Sequence, residues 1–208
     1  MASQPGYNDF VFVNCPFDDN YMPLLHAIVF TVYRCGFFPQ CALGDDDSST
    51  GRLDKIVNII ENCKYAIHDL SRTEINPSSG FPRFNMPFEL GIFFGAKRFG
   101  NKAQRAKVAL IFERTRFSYQ QFISDLNGID TKAHGNDIKI IIQNIRNWLR
   151  TSSRRVTIPG HNILIEEYKE FAARLPGIVT KAGLNIRDIP FNDFCQIVEE
   201  AVREKIKK

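Results

Sequence analysis

The apolar positions change period several times along the chain, and each change marks an element. Residues 9–15 open with Phe10, Val11, Phe12 and Val13, a run of β-formers closed by the turn-like stretch 16–20, which predicts a buried first strand. Residues 21–35 carry Leu24, Leu25, Ile28, Val29, Val32 and Tyr33 at helical spacing, with Gly36 placed to end the helix in the left-handed region. A second strand over 37–43 leads into the polar, acidic loop 44–51. A second helix over 52–63 is read from Leu53, Ile56, Val57, Ile59 and Ile60. A third strand over 64–70 ends in His68 and Asp69. A long polar loop, 71–83, then precedes an apolar helix over 86–99 and a fourth strand over 106–112.

Strands alternating with helices through short links predict an α/β fold, because right-handed crossovers join parallel neighbours and place helices on both faces of the sheet. The expected strand order is flavodoxin-like. Ligands of such folds bind outside the carboxyl ends of the strands, so the loops at 14–19, 44–52, 69–89 and from Glu113 onward are expected around one crevice. Beyond residue 117 the pattern turns helical at 119–126, 138–150, 162–175 and 190–205, with breaks at Gly128, Pro159-Gly160 and Pro176-Gly177. The expected organisation is an α/β ligand-site domain over 1–115 with a helical C-terminal extension, 116–208, packed on it.

Composition narrows the classes. A chain of 208 residues buries about 70% of its unfolded surface in one core and needs no disulfide scaffold. Its five cysteines form no C-x-x-C pair and no metal-ligand spacing, so no metal is expected and buried free thiols in a reducing cytoplasm are the reading. No apolar run approaches the ~20 residues of a membrane span. A net charge of +4 falls short of a nucleic-acid stripe, so no direct nucleic-acid contact is expected. Eighteen phenylalanines against one tryptophan read as a phenylalanine-rich core, with a few available to line a ring pocket.

The chemistry concentrates at strand ends. Glu89 stands early on a helix otherwise made of Met86, Phe88, Leu90, Ile92, Phe93 and Phe94, so its carboxylate is either capping the helix or held there for function. Asp69 ends the strand before it. Two carboxylates in one apolar crevice can be tuned apart, an arrangement suited to stabilising a cationic sugar carbon. Asn14, Phe17 and Asp18 follow strand one, Arg52 opens helix two, and Arg83 and Asn85 precede Glu89. Arginine suits phosphate and Phe17 could stack on a base, while a helix cap (Asp18, Asp19 or Asn85) or a solvated charge (Arg52) is the plainer role of each. His68 reads as a hydrogen-bonded core histidine. No Ser/His/Asp signature, P-loop or G-x-G-x-x-G occurs.

With Cys15-Pro16-Phe17 after strand one, Asp69 ending strand three and Phe88-Glu89-Leu90-Gly91 opening the next helix, residues 9–112 resemble the superfamily that joins Toll/interleukin-1 receptor (TIR) domains with nucleoside 2-deoxyribosyltransferases. The chain departs from it in the length of the 71–83 loop and in Met86-Pro87, where the transferases often have Gly-Thr. The resemblance implies Glu89 as the catalytic carboxylate, Asp69 as a substrate-orienting partner and Phe17 as a ring contact. It implies splitting of an N-glycosidic bond, most naturally that of NAD as substrate rather than cofactor, in antiphage defence. A non-catalytic nucleotide sensor and an assembly adaptor are the alternatives. It also implies a partner, either further copies of the chain in a homo-oligomer or a separate sensor protein. The apolar stripes Ile138, Ile141, Ile142, Ile145 and Phe194, Ile197, Val198, Val202 are candidate contacts, although periodicity by itself favours packing on the sheet for most of them.

Overall fold

In the computed structural model the described residues are 4–72 and 80–206; residues 73–79 of the expected 71–83 loop lie outside them. Five strands, β1 (Phe10–Asn14), β2 (Phe38–Gln40), β3 (Tyr65–Asp69), β4 (Val108–Glu113) and β5 (Lys132–Ala133), form one all-parallel sheet in the order β2-β1-β3-β4-β5. This is the flavodoxin-like order expected from the alternation of elements.

Helices α1 (Met22–Arg34) and α5 (Ile138–Ser153) cover one face, with α6 (His161–Lys181) and α7 (Phe191–Ile206) packed outside them; α2 (Arg52–Asn62) and α3 (Asn85–Phe99) cover the other. The four-residue α4 (Lys102–Arg105) links α3 to β4. Strand alternation divides the core accordingly. Val11, Val13, Tyr65 and Ile67 face α1 and α5, while Phe12 and Ala66 face α2 and α3.

Four local outcomes differ from expectation. β5 is only Lys-Ala, too short and too polar to leave a strand pattern. Residues 119–126 form two 3-10 turns, Ser118–Gln121 and Ser124–Leu126, and Glu113 accepts from the amides of Phe117 (2.8 Å) and Tyr119 (3.3 Å) where the first of them begins. α6 runs through Pro176, since Leu175 and Val179 on either side are both buried against the core. The apolar stripes of α5 and α7 are inside the protein: Ile141, Ile142 and Ile145 are fully buried and Phe194, Val198 and Val202 nearly so. These buried members hold the helices on the sheet and are not free to contact a partner, while Ile138 and Ile197 are half-buried.

Candidate functional site

At the carboxyl ends of β1 and β3, on the α2/α3 side, lies a cavity of about 170 Å³ lined by Asn14, Cys15, Pro16, Phe17, Arg52, Arg83, Asn85, Met86 and Glu89. That is about the space of one small ring. Its position is the point where the strand order reverses, the usual ligand crevice of this topology. Six of the eight expected site residues meet there: Asn14, Phe17, Arg52, Arg83, Asn85 and Glu89.

Glu89 reaches the cavity through helix geometry. The buried stripe of α3 is Met86, Glu89, Leu90 and Phe93, at helical spacing, so the carboxylate occupies a core position and is 6% exposed. It has no hydrogen bond among the described residues. Burial pushes its pKa from the usual 4.5 up to about 7, against the pull of the Arg52 guanidinium. Capping does not explain it, because it stands in the second turn and the helix begins from Phe84 without a side-chain cap. Asn85 is correspondingly not an N-cap but the first residue of the helix, on the cavity rim.

Arg52 and Arg83 are exposed and carry no carboxylate partner among the described residues. The cavity therefore has a carboxyl at its floor and two guanidiniums at its mouth. Cys15 contributes no nucleophile, because burial raises its thiol well above the usual range and neighbouring Cys41, Asp69 and Glu89 raise it further.

Two expected members are elsewhere. Asp18 forms a bidentate ion pair with Arg72, at 2.6 and 3.0 Å, and ties the loop after β1 to the chain beyond β3. Asp69 continues the alternation of Tyr65 and Ile67 and so points to the α1/α5 side, away from the face that α3 covers. There it is fully buried, accepting from the Tyr21 hydroxyl, from the Ser71 amide at 2.8 Å and from His134 Nε2 at 3.1 Å. Burial alone would raise its pKa, but the bonds from His134, Ser71 and Tyr21 outweigh burial and hold the carboxyl below its usual range. The shared crevice expected for Asp69 and Glu89 is thus not formed, and Asp69 has no access to a substrate.

Ser71, His134 and Asp69 do not form a nucleophilic triad. His134 Nδ1 accepts from the Asn136 amide at 2.9 Å, so the proton sits on Nε2, the nitrogen that faces both Ser71 Oγ (2.7 Å) and Asp69. That nitrogen cannot take the serine proton. Glu113, expected near the crevice, is fully buried and closes the 117–131 loop through Phe117, Ser118, Tyr119 and Thr131.

A larger groove of about 540 Å³ runs between α1 and α6, lined mainly by apolar side chains such as Met22, Phe171 and Leu175. Its imidazole, the half-buried His26, is held neutral by partial burial, which lowers its pKa to about 4, and its ring stacks on Phe194.

Comparison of the chain with protein-family models, with curated proteins and with solved structures finds no match in any of the three. No helix among the described residues is long and apolar enough to cross a membrane.

Proposed function

We propose that the chain cleaves the N-glycosidic bond of a nucleotide, with NAD the leading substrate, and that Glu89 is the carboxylate that stabilises the sugar cation. The observation that carries the reading is Glu89 itself: a carboxyl without a hydrogen-bond partner among the described residues, raised to about 7, at the floor of a ring-sized cavity whose mouth holds two guanidiniums. An uncompensated buried acid destabilises the fold, and such groups cluster at functional sites. The resemblance carried by Cys15-Pro16-Phe17 and Phe88-Glu89-Leu90-Gly91 supports the same assignment.

The step balances with water alone. As the bond from the sugar's anomeric carbon to the nicotinamide nitrogen breaks, its electron pair leaves with the base, which departs neutral. The ionised Glu89 stabilises the cationic carbon directly or as a transient ester, water then adds to that carbon, and one proton is released. Arg52 and Arg83 hold the phosphates at the mouth, and Phe17 lies against a ring. Asp69 takes no part.

The test is incubation of the purified chain with NAD, NADP and deoxynucleosides, with products resolved by mass spectrometry. Release of free base by the wild type and none by Glu89→Gln is expected. Binding without base release in both would make the protein a nucleotide sensor. Neither binding nor release would leave only an assembly role.

A further inference from the structure

Asn14 is oriented by its neighbours on two sides. Its Nδ2 donates to the Met86 backbone oxygen at 3.0 Å, and because a carbonyl only accepts, the amide nitrogen must stand on that side. The same Nδ2 lies 2.9 Å from His68 Nδ1, its register partner across β1 and β3. With the amide hydrogens directed to these two atoms, Nδ1 is the accepting nitrogen and Nε2 carries the ring hydrogen. Burial lowers the His68 pKa to about 3, which keeps the ring neutral and its acceptor in place.

Asn14 Oδ1 is left without a partner among the described residues. It is not one of the atoms sealed from solvent, so it opens on the cavity that Asn14 lines. His68 Nε2, by contrast, is sealed and has no partner among the described residues, with the rings of Phe12 and Phe93 at centroid distances of 5.6 and 5.2 Å. A buried donor without an acceptor is destabilising, and a leucine would fill this apolar place without one. What the imidazole supplies in return is the acceptor that holds Asn14.

We infer that His68 is a positioning residue that turns the Asn14 carbonyl oxygen into the cavity beside Glu89, so that the cavity takes a hydroxyl-bearing sugar ring whose phosphate reaches Arg52 and Arg83. The inference rests on the nucleotide-site reading and names the part of the ligand that enters. Asn14 Oδ1 and the Glu89 carboxylate make the inner wall a set of acceptors, which bind hydroxyl donors and turn away a phosphate, itself an acceptor. The exposed guanidiniums at the mouth suit the anion.

The experiment is calorimetric titration of the full chain with ribose 5-phosphate, with tetrahydrofurfuryl phosphate, which has the ring and the phosphate but no ring hydroxyl, and with inorganic phosphate. Ribose 5-phosphate is expected to bind at least about 10-fold more tightly than the other two. His68→Leu is expected to reduce it to the level of the analogue without changing the analogue's affinity. His68→Asn, whose Oδ1 can stand near the place of Nδ1, is expected to restore the preference, which a loss of packing alone would not allow. Equal affinities in the wild type, including no detectable binding of either, overturn the inference without any variant, as does a folded His68→Leu that keeps the preference. Turnover of NAD in the same preparation separates the two readings: cleavage without the hydroxyl preference leaves only the cleavage reading, and the preference without cleavage leaves only this one.

Discussion

Asp69 and Glu89 stand at the same end of the sheet, both nearly without exposure, in opposite electrostatic states. Asp69 accepts bonds from Tyr21, Ser71 and His134, so ionisation is favoured and the group serves to join β3 to the starts of α1 and α5. Glu89 is buried on one side, bare on the other, and holds its proton up to about 7. A buried carboxylate whose lone pairs are all engaged is a structural tie, whereas one left unengaged beside an open cavity destabilises the fold unless a ligand uses it. The contrast also separates two acids that look alike in sequence, since both stand among apolar residues near the crevice end of their elements.

The contrast breaks most sharply on turnover. Glu89→Gln keeps the shape and removes the charge that a sugar cation needs, and a loss of at least about 10⁴-fold in base release, over 5 kcal/mol, is expected in a folded protein. Unchanged turnover would remove Glu89 from the chemistry. The mirror experiment is Asp69→Ala, which leaves three donors facing nothing and should lower unfolding free energy by about 3 to 5 kcal/mol in denaturant titration. A stable Asp69→Ala variant with lost activity would reverse the roles assigned to the two acids.

The fold and most of the cavity are legible in the sequence, but the contrast between the two acids, expected to share one crevice, is not, for identifiable reasons. Period and punctuation locate β1, β3, α2 and α3 to within a residue or two, and the alternating elements give the topology. Six of the cavity's residues follow from their places at strand and helix ends. The side taken by Asp69 was also readable in principle, because Tyr65, Ile67 and Asp69 share one face of a strand and His68 the other. Its partner His134 was not readable, being 65 positions away and anchored by a two-residue strand with no pattern. His68 reads as a core histidine in the sequence, but its bond to Asn14 across neighbouring strands depends on register, which periodicity does not fix.

Stability against pH sharpens the comparison at a smaller scale. A carboxyl whose folded-state pKa is raised contributes stability that is fully present below its unfolded value, near 4.5, and lost as pH rises through about 7. A carboxyl whose folded-state pKa is lowered, as for Asp69, contributes stability that is present above its unfolded value and lost as pH falls through the folded one. Glu89→Gln should therefore stabilise the protein at pH 8 by about 2 kcal/mol, the full shift discounted for water in the cavity, and have no effect near pH 4.5. Thermal melts of wild type and variant at both pH values measure it. An equal difference at both would mean that Glu89 is not held protonated by its site.

The smallest effect expected is that of Tyr21→Phe, which tests whether the sealed acid is tied independently of the open one. The substitution removes only the hydroxyl that donates to Asp69 Oδ2 and leaves the ring, which is 2% exposed, in its packing at the start of α1. Asp69 keeps the Ser71 amide and His134 as donors, so the carboxylate remains satisfied and the loss should be about 1 to 1.5 kcal/mol, within the range for a single bond to a charged group. Because Asp69 faces α1 and α5 while the cavity opens on the α2/α3 side, base release by Tyr21→Phe should match the wild type. Steady-state kinetics and denaturant titration on the same preparation check both halves. A fall in turnover greater than about threefold in a protein only slightly destabilised would show that the two carboxylates communicate through Cys15, which lies within electrostatic range of both, and the division between tie and reactive group would then have to be withdrawn.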